Sequence, residues 1–73
     1  MNDNLAASRL KELRLSKGLS QSKLATESGV SVRLIQDYEQ GSKNIYGGSA
    51  LTILKLAQAL DTSVEYLLIG KTE

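Results

Sequence analysis

The sequence predicts an all-α fold of five helices, and three observations support this. Apolar residues recur at helical spacing and never alternate over a sustained stretch. Proline is absent. Glycine or a small polar residue stands where most of the apolar stretches begin or end, which is typical of helix boundaries. With 73 residues, the chain is expected to form a single domain over 1–73, with its core over about 5–69.

The first predicted helix begins after Asp3 or Asn4, either of which can cap it. It ends near Lys17, where Gly18 can adopt the left-handed conformation that closes many helices. Three apolar side chains form its inward face: Ala6, Leu10 and Leu13. Three cations of the same segment are interpreted as a solvated face: Arg9, Lys11 and Lys17.

The second and third predicted helices are joined by a very short turn. Ser20 is a good N-cap for the second helix, and Gly29 ends it. Only Val30 separates Gly29 from Ser31, which can cap a third helix that stops at Gly41. Two helices joined by such a short turn with a glycine in it form a helix-turn-helix unit.

A loop over 42–49 precedes the last two predicted helices. The fourth helix has an inward stripe at positions i, i+3, i+4 and i+7, formed by Ile53, Leu56, Ala57 and Leu60. Thr62 is expected to cap the fifth helix and to place Glu65 at its third position, as in a capping box. Gly70 is expected to end this helix.

The third helix separates apolar from polar side chains. At about 100° per residue, Ile35 and Tyr38 point inward, and Leu34 partly shares that face. The opposite side displays Arg33, Gln36 and Gln40, flanked by Val32 and Asp37. The forked groups of Arg and Gln match guanine and adenine edges in the major groove, and Val can contact a thymine methyl group.

Composition excludes several functions and only weakly favours an anionic partner. The chain has neither Cys nor His, so disulfides, thiolate metal sites and histidine general bases are excluded. We therefore expect no enzyme, metal or cofactor, and the absence of an apolar span or leader predicts a cytoplasmic protein. The net charge is only +1, but residues 8–46 hold seven basic and four acidic side chains.

Many spaced residues resemble a known family over roughly 10–68. They are Leu13-Arg14, Gly18-Leu19-Ser20-Gln21, Leu24-Ala25, Gly29-Val30-Ser31, Ile35, Tyr38-Glu39, Gly41, Leu56-Ala57, Ala59-Leu60 and 63–68. This pattern resembles the phage-repressor-like helix-turn-helix family (Cro/CI-type, or xenobiotic-response-element). The resemblance implies a lambda-repressor-like fold and sequence-specific binding of double-stranded DNA. It further implies a transcriptional repressor whose recognition helix, at about 31–40, enters the major groove, so that the bound protein is nucleoid-associated.

The resemblance and the placement of residues on the helices together assign candidate contacts. Base contacts are expected from Val32, Arg33, Gln36, Asp37 and Gln40. Contacts to the sugar-phosphate backbone are expected from Ser20, Gln21, Ser31, Lys43 and Asn44. Arg14 and Glu39 resemble a family pair that ties the first helix to the end of the third.

Two features depart from the family pattern. Asp37 stands where an amide or a cation is common; it can accept a hydrogen bond from cytosine or restrain Arg33 at i, i+4, and the sequence does not separate the two. Residues 45–48 resemble an insertion. We favour a loop extension in which Ile45 and Tyr46 pack over Leu51, against a contact to DNA or to a second subunit.

The chain is expected to bind DNA as a homodimer. Residues 66–69 are four consecutive apolar residues that cannot all face one side of a helix, so Tyr66, Leu67 and Ile69 are candidates for the interface. The alternative is that the tail after Gly70 covers them. A different functional class also remains open, a helix-turn-helix protein-interaction module such as an antitoxin or an adaptor.

Overall fold

The computed structural model describes residues 5–71, which form five α-helices and no strand. The helices are α1 (Leu5–Ser16), α2 (Gln21–Ser28), α3 (Val32–Gln40), α4 (Ala50–Ala59) and α5 (Val64–Ile69), with a 3₁₀ turn (Ile45–Gly47) between α3 and α4. The predicted all-α, five-helix fold is confirmed. The predicted caps of α1, Asp3 and Asn4, lie outside the described residues.

Serine residues begin the two helices of the helix-turn-helix unit, and glycines end them. The Ser20 Oγ accepts a hydrogen bond from the Lys23 N–H, and the Ser31 Oγ accepts one from the Leu34 N–H. Gly29 has a φ of 76°, which a side-chain-bearing residue adopts only at a cost. This conformation helps to turn the chain within the three residues 29–31 that separate the two helices, so that α3 can pack against α2.

The start of α5 differs from the prediction. Ser63, and not Thr62, is the N-cap, because the Ser63 Oγ accepts from the Tyr66 N–H. Asp61 adopts a left-handed φ of 56°, and the Thr62 N–H donates to the Ala57 carbonyl at 2.9 Å. Thr62 therefore completes the end of α4, and Glu65 falls at the second helical position, where it does not form the predicted capping box.

The core lies where the inward faces of the helices meet. α1 packs on α3 and α5, and α2 packs on α3 and α4. The largest fully buried side chains are Leu10, Leu24, Ile35, Leu56 and Leu67. Burial of Leu67 contradicts its predicted place in a dimer interface, because it lies one turn after Val64 on the inner side of α5. Tyr66 and Ile69 stay exposed at 36% and 60%.

The side chains of Arg9 and Tyr46, predicted to be solvated and to pack over Leu51, instead contact the end of α5. Arg9, predicted to be solvated, donates from Nε to the Tyr66 carbonyl at 2.8 Å and from Nη2 to the Leu68 carbonyl at 3.4 Å. The Tyr46 hydroxyl donates to the Leu68 carbonyl at 2.9 Å. The last carbonyls of a helix lack partners within it. Arg9 and Tyr46 supply donors to the Leu68 carbonyl, and the Tyr66 carbonyl accepts from Arg9 in addition to the Gly70 N–H. Lys17, also predicted to be solvated, pairs with Asp61, whereas Lys11 is exposed.

The insertion over 45–48 contributes to the core. Ile45 is buried, whereas Leu51 is 61% exposed, so the predicted cover over Leu51 is wrong. Gly48 lies so close to the Tyr38 hydroxyl that a Cβ there would overlap it. The insertion thus supports the inner side of α3. Within residues 5–71, no helix combines the length and the apolar character needed to cross a membrane.

Candidate nucleic-acid interface

The two sides of α3 differ sharply in burial. Ile35 is fully buried and Tyr38 is 4% exposed, which fixes the helix on the core as predicted. The five candidate base-contacting residues lie on the remaining surface; Val32, Arg33 and Gln40 are exposed, and Gln36 and Asp37 are partly buried. Packing on one side therefore leaves a polar ridge on the other, with a single apolar residue, Val32, at its start.

The starts of α2 and α3 both offer donors suited to an anion. The first N–H groups of a helix lack partners within it, and the helix dipole favours negative charge there. The Ser20 and Ser31 oxygens accept hydrogen bonds as N-caps, which leaves each hydroxyl proton free to donate outward. Both serines are exposed. These positions have the chemistry for phosphate contacts.

A hydrogen-bonded network joins α1, α2 and α3 below this surface. The Arg14 Nε donates to Glu39 Oε2 at 2.7 Å, and Nη2 donates to Oε1 at 3.0 Å. Gln21 Nε2 donates to the same Oε1 at 3.1 Å. The Arg14 and Glu39 side chains are only 8% and 3% exposed. The start of α2 is thus held against the last turn of α3.

Arg14 is fully committed to this network. Its Nη1 donates to the Leu19 carbonyl at 2.8 Å, so all three guanidinium nitrogens are used. The hydrogen bonds to Glu39 raise the pKa of Arg14, and this effect outweighs the opposing effect of burial. Arg14 stays cationic and has a structural role. An open groove beside the network is also lined by Lys11, Ser20, Gln21 and Gln40.

A second ion pair lies on the exposed side of α3. Arg33 Nε is 3.5 Å from Asp37 Oδ1, one helical turn away. The Arg33 side chain is 83% exposed, whereas that of Asp37 is 14% exposed. Of the two roles considered for Asp37, the structure contains the contact with Arg33.

The other candidate contacts follow α3 in the chain. Lys43 and Asn44 are exposed, and the Lys43 N–H donates to the Asp37 carbonyl at 3.2 Å, which ties this loop to α3. Asn44 Oδ1 accepts from the Tyr46 N–H and so caps the 3₁₀ turn, leaving its amide N–H groups available. Tyr66 and Ile69 lie apart from this set, on α5. Within residues 5–71, no cluster of potential metal ligands is found.

Sequence reasoning missed the roles of Arg9 and Tyr46 at the end of α5. A signal was present, because a short helix that ends at Gly70 leaves carbonyls in need of donors. Nothing in the spacing of the sequence, however, brings residues 57 and 59 positions apart together.

This chain is similar to known helix-turn-helix proteins over most of its length. The helix-turn-helix family pattern matches residues 10–67. Uncharacterized HTH-type transcriptional regulators of Rickettsia conorii and Rickettsia prowazekii are each 34% identical over 71 residues, which is 97% of this chain. The chain spans about half the length of these curated relatives, 54% and 52%.

A solved structure is similar over most of both chains. The restriction-modification controller protein C.AhdI from Aeromonas hydrophila is 44% identical, with a TM-score of 0.76, over 85% of this chain and 89% of that one. The family match, these relatives and the geometry of α2 and α3 agree. The chain therefore belongs to the Cro/CI-type helix-turn-helix family.

Proposed function

We propose that the chain regulates transcription, as a repressor, by binding specific sites in double-stranded DNA with α3 in the major groove. The strongest support for this proposal is the burial pattern of α3. The polar side of α3 is exposed while Ile35 and Tyr38 hold its opposite side in the core. Helix-turn-helix proteins place base-reading side chains on such a surface. The role is binding without catalysis, and it would be exercised at the nucleoid.

We assign contacts with bases to residues of α3, and contacts that position the protein on the duplex to residues at the starts of α2 and α3 and in the loop after α3. Arg33 and Gln36 are the principal readers, because their forked donors and acceptors match base edges. Val32, Asp37 and Gln40 border them. Phosphate contacts are assigned to Ser20, Gln21, Ser31, Lys43 and Asn44, since backbone contacts fix the register of a protein on the duplex.

The protein is further proposed to act as a homodimer on DNA. One recognition helix reads only a few base pairs, so a second copy is needed to mark a site in a genome. The exposed Tyr66 and Ile69 of α5 supply apolar surface that the core does not use. A two-fold dimer requires a palindromic operator with half-sites about 34 Å apart.

Selection of bound duplexes from a random library tests the proposal. We expect enrichment of a palindrome and a steep loss of affinity with salt, because phosphate neutralisation releases counterions. No enrichment, or binding that salt does not affect, would contradict DNA reading and favour a protein-interaction module such as an antitoxin or an adaptor.

Sedimentation of the protein on the selected duplex tests the dimer. We expect two protomers per site for the unaltered protein and weaker assembly for Ile69→Lys. Leu15→Lys is the matched control, since Leu15 of α1 is 55% exposed and receives the same new charge. One protomer on a non-palindromic site would contradict the dimer.

A further inference from the structure

The pair on the exposed side of α3 is asymmetric. The Asp37 side chain is 14% exposed, and the Arg33 side chain is 83% exposed. A carboxylate shielded to this degree has few orientations open to it, whereas the arginine head is surrounded by solvent. Asp37 is therefore the fixed partner of the pair, and Arg33 is the mobile one.

The contact leaves the reading edge of Arg33 available. The closest approach to Asp37 is through Nε, at 3.5 Å, which is too long for a hydrogen bond. Arginine has five N–H donors in a planar fork, and a guanine edge needs only two of them. The terminal nitrogens point away from the stem of the side chain, and in the described residues they have no hydrogen-bond partner within the protein.

The surroundings make Asp37 poorly suited to a base contact of its own. Its side chain is only 14% exposed, so little of it is available to a base, and the phosphates that flank the groove carry the same sign of charge as its carboxylate. By staying where it is, it opposes the charge of Arg33 and restricts where the guanidinium can go. The attraction grows when DNA excludes water from the surface, because the local dielectric falls.

From these observations we infer that Asp37 is a positioning residue, which aims Arg33 at a guanine and contacts no base itself. The inference rests on the proposed function and deepens it by assigning the specificity of one position in each half-site. Asp37 acts only through Arg33, so its effect must vanish when Arg33 is absent.

Three variants test this by the base preference of the bound protein: Asp37→Asn, Arg33→Ala and the double variant. Affinity is measured on the selected duplex and on duplexes with one substituted base pair. We expect Asp37→Asn to reduce discrimination at the same guanine as Arg33→Ala, by about two- to fivefold. The double variant should match Arg33→Ala. Glu12→Gln, on the exposed surface of α1, is the matched control for losing one negative charge.

Two results would overturn the positioning role. Asp37→Asn could change preference at a different base pair from Arg33→Ala, which would indicate direct contact with a base. It could also behave like Glu12→Gln, with tighter binding to all DNA and unchanged preference. Failure of the proposed function has a different signature, because the unaltered protein would then prefer no duplex. Circular dichroism melting checks that each variant is folded.

Discussion

Two arginine–carboxylate pairs involve the recognition helix, and they differ in burial and in geometry. Arg14 and Glu39 form two hydrogen bonds, at 2.7 and 3.0 Å, between side chains that are 8% and 3% exposed. Arg33 and Asp37 are 3.5 Å apart at their closest approach, and Arg33 is 83% exposed. The first pair joins separate helices, whereas the second lies within one helix.

The same chemical pair therefore serves two purposes in this fold. A shielded pair has lost its water, so each charge depends on the other and the geometry is fixed. In the second pair the arginine is exposed, so solvent screens the attraction, the pair contributes little to stability and the arginine stays available for a ligand. We expect variants of the first pair to affect folding and variants of the second to affect DNA recognition.

Breaking the shielded pair should have the largest effect. Arg14→Ala or Glu39→Ala leaves one desolvated charge without its partner, so the free energy of unfolding should fall by about 3–5 kcal/mol. Urea denaturation followed by circular dichroism measures this. Lys11→Ala, on the exposed side of α1, should change it little. A loss below about 1 kcal/mol from the shielded pair would show that it behaves as a surface pair.

Removing a reader should weaken DNA binding without unfolding the protein. Arg33→Ala or Gln36→Ala should lose about 1–3 kcal/mol of binding free energy on the preferred site, because a base edge is left without its partner. Fluorescence anisotropy on the preferred duplex and on a random one measures the difference. Equal losses on both duplexes would mean that these residues do not read sequence.

Crowding the inner side of α3 should cost stability through packing alone. In Gly48→Ala the new methyl group would overlap the hydroxyl of the buried Tyr38, so we expect a loss of about 1–3 kcal/mol in the free energy of unfolding. Gly47→Ala is the matched control, because the space around Gly47 is open. If both variants unfold alike, the insertion does not support α3.

Gln21→Ala should affect both stability and DNA binding, since Gln21 donates to Glu39 of the shielded pair and also lies at the start of α2. Loss of one hydrogen bond should reduce stability by about 0.5–1.5 kcal/mol. Loss of a phosphate contact should weaken specific and random DNA alike. Urea denaturation measures the first effect and fluorescence anisotropy the second. A loss of affinity confined to the preferred site would instead assign Gln21 to base reading.

The exposed pair should contribute least to stability. Arg33→Ala and Asp37→Asn should each change the free energy of unfolding by less than about 0.5 kcal/mol, because solvent around the exposed Arg33 screens the attraction and Asn keeps the volume of the partly buried Asp37. Thermal and urea unfolding measure this without DNA. A loss as large as that of the Arg14 variants would remove the contrast between the two pairs.

The helix-turn-helix unit could be predicted from sequence because its boundaries are local. Ser20, Gly29, Ser31 and Gly41 act within a few residues of themselves, and all four bound the helices as predicted. The start of α5 could not be predicted from such local signals. Thr62 and Ser63 are both good caps, and the left-handed conformation of Asp61 decides between them.

The placement of the site residues was predictable to the extent that it depends on one helix. Arg33 and Gln36 follow from the period of α3 and its buried side. Burial of Leu67 depends on how α5 meets α1 and α4, and the contacts of Arg9 and Tyr46 join distant parts of the chain. Such tertiary contacts leave no periodic signal in a single sequence.

If the exposed side of α3 reads bases, then Arg33→Ala must change the base preference of the protein. Duplexes would be selected in parallel by the unaltered protein, by Arg33→Ala and by Lys23→Ala, a cation exposed on α2. We predict that Arg33→Ala loses its preference at one base pair in each half-site, while Lys23→Ala selects the same sequence as the unaltered protein. An identical preference from all three proteins would contradict base reading by α3.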